Sequence, residues 1–471
     1  MTTVLAIDQG TSGTKAVVVD GEGSILGLAE LPVRPRYFDG GAVEQDPHEL
    51  LDSVLNAGRA AVAQSGALVD VVTIANQGET VLAWDPDTGK PLSNMVVWQD
   101  RRAESITREL GAKAELLAER TGLVLDPYFS APKQAWIRRN ITKDGVVTTS
   151  DSWLIHQLTG EFVTDVSTAS RSLVTDLNTG DWDRELLEIF ELGDEQLPTI
   201  LPSNAMAGTT DAFGGVMGVG GLIVDQQAAL LAENCLTAGD AKCTFGTGAF
   251  LLANVGTTPV RSRAGLSASV AWSENEHLVY CFDGQVYTAA SAVRWLQSMK
   301  FIDNAADLDR VAVTDADGVL SVPAFAGLAA PWWRPQARAS ITGMSLSTEP
   351  GHIVLAVLQG IAAQVAELGA LVAQDTGTPL QRLRADGGLT QSKVLMQSVA
   401  DLLQVPIDVY PSQHATPLGA VALARTADNP ALSLADAVVP WQPSTTYEPK
   451  WSPEQTAEFR RRWATAAEII R

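Results

Sequence analysis

The stretch VLAIDQGTSGTKAVVVD, residues 4–20, carries the clearest structural pattern of this 471-residue chain. An apolar, β-branched run ends at Asp8, passes through a turn of glycines and hydroxyl residues, and continues into a second β-type run. This pattern is typical of two strands joined by a short turn and not of a helix. The sequence therefore predicts a tight β-hairpin at the start of the chain.

The turn of this hairpin has the composition of a phosphate-binding loop. Gly10 and Gly13 let the backbone approach a ligand closely and adopt positive φ. The donors that the turn offers are the hydroxyls of Thr11, Ser12 and Thr14 and the ammonium of Lys15. Asp8 is placed to hold Mg²⁺ beside the phosphate, because Mg²⁺ takes one or two carboxylates plus phosphate oxygens. Taken alone, the stretch also fits an ordinary Gly-Thr hairpin.

A second hairpin of the same kind follows much later in the chain. Residues 241–252, AKCTFGTGAFLL, have the pattern of a strand, a Gly246-Thr247-Gly248 turn and an apolar strand. Two related phosphate-binding hairpins in two halves of one chain are the arrangement of the actin-like ATPases. The expected fold class is therefore α/β, with two duplicated ribonuclease H-like domains and a cleft between them.

Further motifs extend this comparison from Asp8 to about Ala424. They are Asn76-Gln77, Glu79-Thr80, Val97-Trp98-Gln99, Arg101-Arg102, Thr121-Gly122-Leu123, Asp126-Pro127-Tyr128-Phe129-Ser130, Asp225-Gln226-Gln227, Gly246-Thr247-Gly248 and Asp386-Gly387-Gly388. In these motifs and their order the chain resembles the FGGY family of carbohydrate kinases, most closely its glycerol kinases. The two signature stretches of the family have counterparts at residues 128–140 and 339–359.

The resemblance implies transfer of the γ-phosphate of ATP, with Mg²⁺, to a hydroxyl of glycerol or a similar small polyol. It implies that Asp225 accepts the proton of the attacking hydroxyl and that Gln226 holds a neighbouring hydroxyl. The other polyol positions that it implies are Glu79 and Tyr128, with Trp98 and Phe250 as apolar walls. The phosphate and nucleotide positions are Thr11, Ser12, Lys15, Gly246, Thr247, Gly248, Gly387 and Gly388, and the metal position is Asp8. Carboxylates and aromatic rings suit a polyol, which has a hydroxyl edge and a C–H face.

Gly78 is the main departure from the glycerol kinases, which have an arginine between the glutamine and the glutamate of this motif. An arginine would offer several fixed donors to terminal hydroxyls of the polyol, whereas glycine offers none. Three consequences are open: poor use of glycerol, an enlarged pocket, or a guanidinium returned by another segment such as that of Arg101 or Arg102. By a narrow margin we expect the enlarged pocket, and hence a four- or five-carbon polyol or a ketose as the better substrate.

Composition indicates a large cytoplasmic enzyme. The formal net charge of −22 opposes unassisted binding to nucleic acid or to an anionic membrane. The three cysteines show no CxxC spacing and are expected to be reduced and buried. The N-terminus has no signal-peptide pattern, and the apolar stretch at 352–373 is interrupted by polar residues, so we expect a buried helix there and no membrane insertion. The resemblance implies a homo-oligomer, either a dimer or a tetramer.

The length predicts more than one domain. We expect an N-terminal, polyol-binding FGGY domain over residues 1–234, with a helical insertion over 99–182. A C-terminal, nucleotide-binding FGGY domain is expected over residues 235–471.

Two functions outside the kinases are compatible with the fold. A filament-forming or chaperone-type ATPase would leave Asp225-Gln226 and the aromatic residues without a role. A sugar sensor that has lost catalysis predicts loss of Asp8 or Asp225, and both are present. The simpler structural interpretation of Asp225 is a helix N-cap.

Overall fold

The computed structural model describes residues 2–275 and 277–470. The strands of its first part are β1 (Val4–Gln9), β2 (Gly13–Val19), β3 (Ile25–Pro32), β4 (Arg36–Phe38), β5 (Ala42–Gln45), β6 (Val71–Asn76), β7 (Val81–Trp84), β8 (Met95–Val96), β9 (Val146–Thr149), β10 (Val163–Asp165), β11 (Thr199–Leu201), β12 (Met206–Thr210), β13 (Met217–Gly220) and β14 (Ile223–Val224). The helices are α1 (Pro47–Ser65), α2 (Glu104–Glu109), α3 (Ala114–Thr121), α4 (Ser130–Asn140), α5 (Ser150–Thr159), α6 (Val166–Ala169), α7 (Arg184–Ile189) and α8 (Asp225–Ala232).

The second part begins at the predicted second hairpin. Its strands are β15 (Ala241–Phe245), β16 (Ala249–Gly256), β17 (Ser267–Glu274), β18 (His277–Val286), β19 (Leu320–Val322), β20 (Ser340–Thr342), β21 (Leu383–Asp386), β22 (Ile407–Val409) and β23 (Thr445–Tyr447). Its helices are α9 (Ala290–Ser298), α10 (Leu308–Val311), α11 (Pro350–Thr376), α12 (Lys393–Leu403), α13 (Ala415–Asp428), α14 (Leu434–Ala437) and α15 (Pro453–Ile469).

The first sheet is built around the predicted hairpin. β1 and β2 pair antiparallel up to Gln9 and Thr14, and β3 continues the meander beside β2. On its other side β1 pairs parallel with β6, and both β13 and β14 pair parallel with β6. The hairpin predicted from residues 4–20 is therefore confirmed, and it lies in the middle of a mixed sheet.

The second sheet repeats this plan. β15 and β16 pair antiparallel up to Phe245 and Ala249, and β18 continues on the far side of β16. β21 lies parallel beside β15, as β6 lies beside β1, and β22 lies parallel beside β21. The duplicated α/β fold predicted from the two hairpins is confirmed.

Helix α13 lies late in the chain yet packs against the first sheet. A buried cluster joins side chains of β1, β2 and β6 with those of α8 and α13: Val4, Ala6, Val17, Val19, Val71, Ala229, Leu418, Val421 and Ala424. A Cβ added at Gly419 would lie 1.7 Å from the carbonyl oxygen of Ala228, so only glycine permits this approach of α13 to α8. Packing of the first sheet thus uses residues from beyond the predicted domain boundary at 234/235, and that boundary stays a prediction.

Segment 99–182 contains α2 to α6, as expected, but it is not helical throughout. Residues 146–149, Val-Val-Thr-Thr, form β9, which pairs antiparallel with β7 from Val81 to Thr149. Four consecutive β-branched residues favour a strand where a neighbouring strand edge is available. The helices of this segment agree with the expected helical insertion, and β9 and β10 are strands that the sequence did not lead us to expect.

Helix α11 is long and apolar enough to cross a membrane by length and composition alone. In this structure 83% of its apolar window is buried inside the protein. Its buried side chains, such as Val357, Ile361 and Val365, belong to the main hydrophobic cluster of the second half. The expectation of a buried core helix is thus confirmed.

Candidate active site

Three parallel strands of the first sheet end at one edge, and each leads to an acidic side chain. Asp8 lies at the end of β1, Glu79 follows β6, and Asp225 follows β14. The carboxyl ends of parallel strands are where α/β sheets bind ligands. The strand topology therefore brings together three of the acids that the sequence singled out.

Asp225 is the first residue of α8, and the position before it, Val224, makes no side-chain capping bond. The Oδ1 atom of Asp225 accepts a hydrogen bond from the backbone N–H of Gln226 at 2.7 Å. Burial and the negative charges of Asp8 and Glu79 raise the pKa of Asp225 to about 7. A carboxylate with a pKa near neutrality is suited to accept a proton during a reaction. A carboxylate that only caps a helix does not require such a pKa.

Asp8 is half-buried beside the first hairpin. Burial raises the pKa of its carboxyl to about 6, and the positive charge of Lys15 opposes that rise. Within the described residues no group of three or more His, Cys, Asp or Glu side chains is arranged to hold a metal ion. A single carboxylate such as Asp8, completed by phosphate oxygens of a ligand, is nevertheless a donor set that Mg²⁺ accepts.

The first hairpin presents three of its four predicted donors. Ser12 is exposed at the tip, and Thr11 and Lys15 are half-buried. The Oγ1 atom of Thr11 also accepts a hydrogen bond from Trp98 Nε1 at 2.8 Å. Thr14 does not contribute as predicted, because its side chain is fully buried and hydrogen-bonded to Ser53 at 2.6 Å.

The second hairpin is anchored to the start of α9. The carbonyl oxygen of Thr247 accepts bonds from the N–H groups of Ala289 at 2.9 Å and Ser291 at 3.2 Å, which leaves the Thr247 side chain exposed at the tip. A Cβ at Gly248 would lie 2.4 Å from the carbonyl oxygen of Val286, so glycine is required there. Gly246 forms the other side of the turn.

The two glycines after β21 line an open pocket of about 290 Å³ together with Thr390, Gln391, Tyr410 and Ser412. Gly387 has a φ of 94°, and a Cβ there would lie 2.5 Å from the carbonyl oxygen of Phe245. A Cβ at Gly388 would meet no atom within 4 Å. Gly387 is thus needed by the fold, whereas Gly388 faces open space where a ligand can lie.

The aromatic residues form a second recess. The rings of Trp98 and Tyr128 meet edge to face at 5.5 Å between centroids, and both line an opening of about 530 Å³ that Tyr287 also lines. Lys133 holds the backbone around Tyr128 in place. Its buried ammonium donates to the carbonyl oxygens of residues 127, 128 and 129. Phe250 lies in the other half, half-buried on β16 opposite Gln285.

Glu79 is almost fully buried, and its backbone has a φ of 58°. A left-handed conformation at a non-glycine residue is strained and is often retained at functional sites. Burial raises the pKa of Glu79, and the positive charge of Arg171 opposes that rise. Arg171 Nε donates to Glu79 Oε1.

One of the three alternatives was that another segment returns a guanidinium to the neighbourhood of Gly78. A guanidinium does lie there, and it is that of Arg171. The Cβ position of Gly78 lies 3.8 Å from Arg171 Nε. Arg101 instead pairs with Asp126 at 3.1 Å, and Arg102 pairs with Glu44 at 2.7 Å. The suggestion of Arg101 or Arg102 is therefore wrong.

Gln226 is held from the second half of the chain. Lys242, fully buried on β15, donates to Gln226 Oε1 at 2.6 Å and to Thr244 Oγ1 at 2.7 Å. The buried carboxyl of Glu233 has its pKa raised well above its usual value by burial and by the charge of Asp386, and the charge of Lys242 lowers it. The charge of Lys242 also opposes the rise that burial causes in the pKa of Asp386, so Lys242 acts both on Gln226 and on the acid that precedes Gly387 and Gly388.

Sequence reasoning missed Arg171 and Asp283, which form a buried ion pair of 3.0 Å beside Glu79, and it missed Lys242. Arg171 and Asp283 are 112 residues apart, and each lies in a segment without a recognisable local motif. For Lys242 a signal existed, since a lysine in the apolar strand before a phosphate-binding turn requires a buried partner.

Comparisons with known proteins show which family the chain belongs to. A model of the FGGY family of carbohydrate kinases, N-terminal domain, matches residues 3–232, and the C-terminal domain model of the same family matches residues 241–427. Glycerol kinase of Bordetella parapertussis is 40% identical over 490 residues, covering 99% of this chain and 96% of the relative. Glycerol kinase 2 of Thermotoga maritima is 38% identical, covering 98% of this chain and 97% of the relative.

Solved structures give the same result for the fold. The structure of Plasmodium falciparum glycerol kinase with ADP superposes with a TM-score of 0.93 at 34% identity, over 100% of this chain and 99% of the other. Gluconate kinase from Lactobacillus acidophilus has a TM-score of 0.90 at 21% identity, covering 99% of this chain and 97% of the other. At that identity the second likeness concerns the fold alone.

Proposed function

Because the chain belongs to the FGGY family of carbohydrate kinases and is an ATP-dependent phosphotransferase that acts on an alcohol, we propose that its substrate is glycerol. The observation that carries this proposal is the placement of Asp225, Asp8 and Glu79 at one sheet edge, next to the first of the two phosphate-binding hairpins. The glycerol kinase names of relatives about 40% identical over the full chain support the choice of substrate.

In the proposed reaction the carboxylate of Asp225 removes the proton from a primary hydroxyl of the polyol. The resulting oxygen attacks the γ-phosphorus of ATP, a new O–P bond forms, and the bond from that phosphorus to the β,γ-bridging oxygen breaks to release ADP. Phosphoryl transfer depends chiefly on positioning and charge neutralisation. Four donors of the two hairpins would hold the phosphates from two sides: Thr11, Ser12, Lys15 and Thr247.

Mg²⁺ would be held by Asp8 together with phosphate oxygens, and when bound it supplies positive charge that offsets the negative charge of the phosphates. Lys15 supplies a further local cation beside Asp8. This local positive charge matters because the chain as a whole carries a formal net charge of −22.

The polyol would lie between carboxylates and rings. Glu79 would accept a hydrogen bond from a hydroxyl of the polyol. Tyr128 would donate one, since burial and the charge of Glu79 raise the pKa of its phenol well above the usual value. Gln226 holds a second hydroxyl, and Trp98 and Phe250 cover the C–H face.

The space that suggested a longer substrate is mostly filled. The side chain of Arg171 lies within 4 Å of the Cβ position of Gly78 and so takes up part of the space that an arginine at position 78 would fill. Our expectation of a four- or five-carbon polyol or ketose thus loses its main support, and we propose the three-carbon substrate in its place.

We also propose that the enzyme acts in the cytoplasm as a homo-oligomer, either a dimer or a tetramer. Its cysteines, Cys235, Cys243 and Cys281, are buried and free, as suits a reducing compartment. Light scattering on the purified protein measures the oligomeric state directly.

The substrate assignment is tested by ADP release in the presence of Mg²⁺, ATP and one candidate acceptor at a time. We expect kcat/KM for glycerol to exceed that for erythritol, threitol and the pentitols by roughly tenfold or more, since one misfitting carbon in a closed pocket costs about 1–3 kcal/mol. A preference for a pentitol or a ketose would overturn the choice of glycerol, and ADP release independent of any acceptor would overturn the kinase assignment.

A further inference from the structure

Arg171 joins the two halves of the chain at the polyol site. It lies two residues after α6, and its side chain has a relative exposure of only 4%. Nε donates to Glu79 of the first half, and Nη2 donates to Asp283 Oδ2, on β18 of the second half, at 3.0 Å. The guanidinium also lies 5.8 Å from the ring centroid of Tyr128. One side chain therefore contacts two of the predicted polyol-binding residues and a carboxylate that no motif indicates.

Gly78 separates this guanidinium from the general base. Its Cβ position lies 3.4 Å from Val224, the residue before Asp225, and 3.8 Å from Arg171 Nε on the other side. A polyol that presents one hydroxyl to Asp225 and runs along Glu79 would therefore bring its far end toward Arg171.

Asp283 has an unused acceptor at this place. Its Oδ1 atom is buried and has no hydrogen-bond partner among the described residues, although the side chain is only 6% exposed. Oδ2 receives Arg171 and, at 3.4 Å, Gln285 Nε2. Within the same residues, Nη1 of Arg171 has no acceptor either, since only Nε and Nη2 are bonded. A buried acceptor in a native protein is normally paired, so the unpaired Oδ1 atom of Asp283, next to the guanidinium that binds its other oxygen, indicates a ligand group that donates to Asp283 and can also accept from Arg171.

We propose that Arg171 and Asp283 bind the hydroxyl at the end of the polyol remote from the one that is phosphorylated, Arg171 donating to it and Asp283 accepting from it. Arg171 thereby supplies, from another segment of the chain, the guanidinium that position 78 lacks. This inference rests on the proposed polyol kinase function and deepens it by naming a specificity-determining pair.

The chemistry of the pair explains why a hydroxyl, and not a methyl group, would be selected. A hydroxyl accepts one hydrogen bond and donates another, whereas a methyl group does neither and would leave both charged groups unpaired. Sites built to hydrogen-bond a substrate hydroxyl strongly reject the analogue that lacks it. Propane-1,2-diol is that analogue, since it keeps the two adjacent hydroxyls of glycerol and lacks the third.

The test measures kcat/KM for glycerol and for propane-1,2-diol in the wild type, Arg171→Lys and Asp283→Asn. In the wild type we expect a preference for glycerol on the order of 10²–10⁴. Both variants should raise KM for glycerol roughly tenfold or more and reduce the preference at least tenfold, with KM for ATP changed by less than about twofold.

Arg138→Lys is the matched control, because Arg138 and Glu195 form a comparably buried ion pair outside the site. It should leave the preference unchanged. If Arg171→Lys and Asp283→Asn instead lower kcat/KM for both substrates by the same factor, the pair has only a structural role and the proposal fails. A wild type that uses both substrates equally well would also overturn it.

Two further outcomes, a variant that does not fold and a wild type that does not use glycerol, can be distinguished from failure of the proposal. Should Arg171→Lys fail to fold, the isosteric Asp283→Asn decides alone. Should the wild type not phosphorylate glycerol, the proposed substrate is wrong, and the same ratio is then measured for the polyol that it uses best and the analogue of that polyol without its far terminal hydroxyl. Retention of the ratio in Asp283→Asn would then overturn the role of the pair independently.

Discussion

Gly387 and Gly388 are adjacent, yet the structure predicts different consequences for replacing them. A Cβ at Gly388 meets no protein atom within 4 Å, and the residue does not need positive φ. If adenosine lies against this backbone, Gly388→Ala should raise KM for ATP roughly tenfold, since intrusion of one methyl group costs about 1–3 kcal/mol.

Steady-state kinetics with ATP varied at saturating polyol, together with the thermal midpoint of unfolding, check this prediction. KM for the polyol and the midpoint should stay near the wild-type values. An unchanged KM for ATP would place the nucleotide elsewhere. Gly387→Ala provides the contrast, because its Cβ would clash with the carbonyl of Phe245 at 2.5 Å and lower the midpoint.

At the residue scale, the sequence predicted the acids better than the cations. Asp8, Glu79 and Asp225 lie where the ends of parallel strands meet, a position that alternating apolar runs and their polar ends can indicate. Arg171 and Lys242 act on the site across long sequence separations. Their roles depend on tertiary packing, and no local pattern carries that information.

At the scale of elements, the contact between α8 and α13 controls the position of Asp225. Gly419→Ala would place a Cβ 1.7 Å from the carbonyl oxygen of Ala228, so the two helices would have to separate. We expect this variant to lose about 1–3 kcal/mol of unfolding free energy, the usual cost of overpacking, and to lose kcat as α8 shifts.

Denaturant unfolding followed by circular dichroism measures the first effect, and the coupled assay measures the second. Gly111→Ala is the control, because its Cβ would meet nothing within 4 Å on an exposed turn. If Gly419→Ala were as stable and as active as Gly111→Ala, the close approach of α8 and α13 would not be what positions the base.

Most helices and strands could be predicted from periodicity and caps. Asp46 caps α1 by accepting from the N–H of His48 at 2.9 Å, and Pro47 starts that helix, which is the Asp-Pro pattern typical of a helix start. The N-cap interpretation of Asp225 is wrong, since Asp225 is the first residue of α8 and Val224 is the residue before the helix. A carboxylate at a helix start fits either position in sequence, and only the backbone conformation distinguishes them.

At the scale of the whole molecule, the two phosphate-binding hairpins lie on separate sheets. The ion pair between Arg171 and Asp283 and the bond from Lys242 to Gln226 connect the two halves at the site. We predict that the halves close further on polyol and nucleotide together, which would exclude water and limit hydrolysis of ATP without acceptor.

Small-angle X-ray scattering tests this closure. The radius of gyration should fall when glycerol and a non-hydrolysable ATP analogue are both present, and each ligand alone should have a smaller effect. If calorimetry shows that both ligands bind and the scattering profile does not change, the closure is excluded.

The duplication could be predicted because each half carries the same strand–turn–strand signature at residues 4–20 and 241–252. The packing of α13 against the first sheet could not be predicted from the sequence. Apolar periodicity indicates which face of a helix is buried, but it does not indicate which sheet covers that face.

The central claim, that Asp225 is the general base of an ATP-dependent glycerol kinase, is tested most directly by single-turnover transfer of the labelled γ-phosphate to glycerol in the wild type and Asp225→Asn. Asparagine keeps the shape of the side chain but cannot accept the proton, so the rate should fall by about 10²–10⁴, with nucleotide affinity and the unfolding midpoint retained. A rate within a few-fold of the wild type would contradict the account.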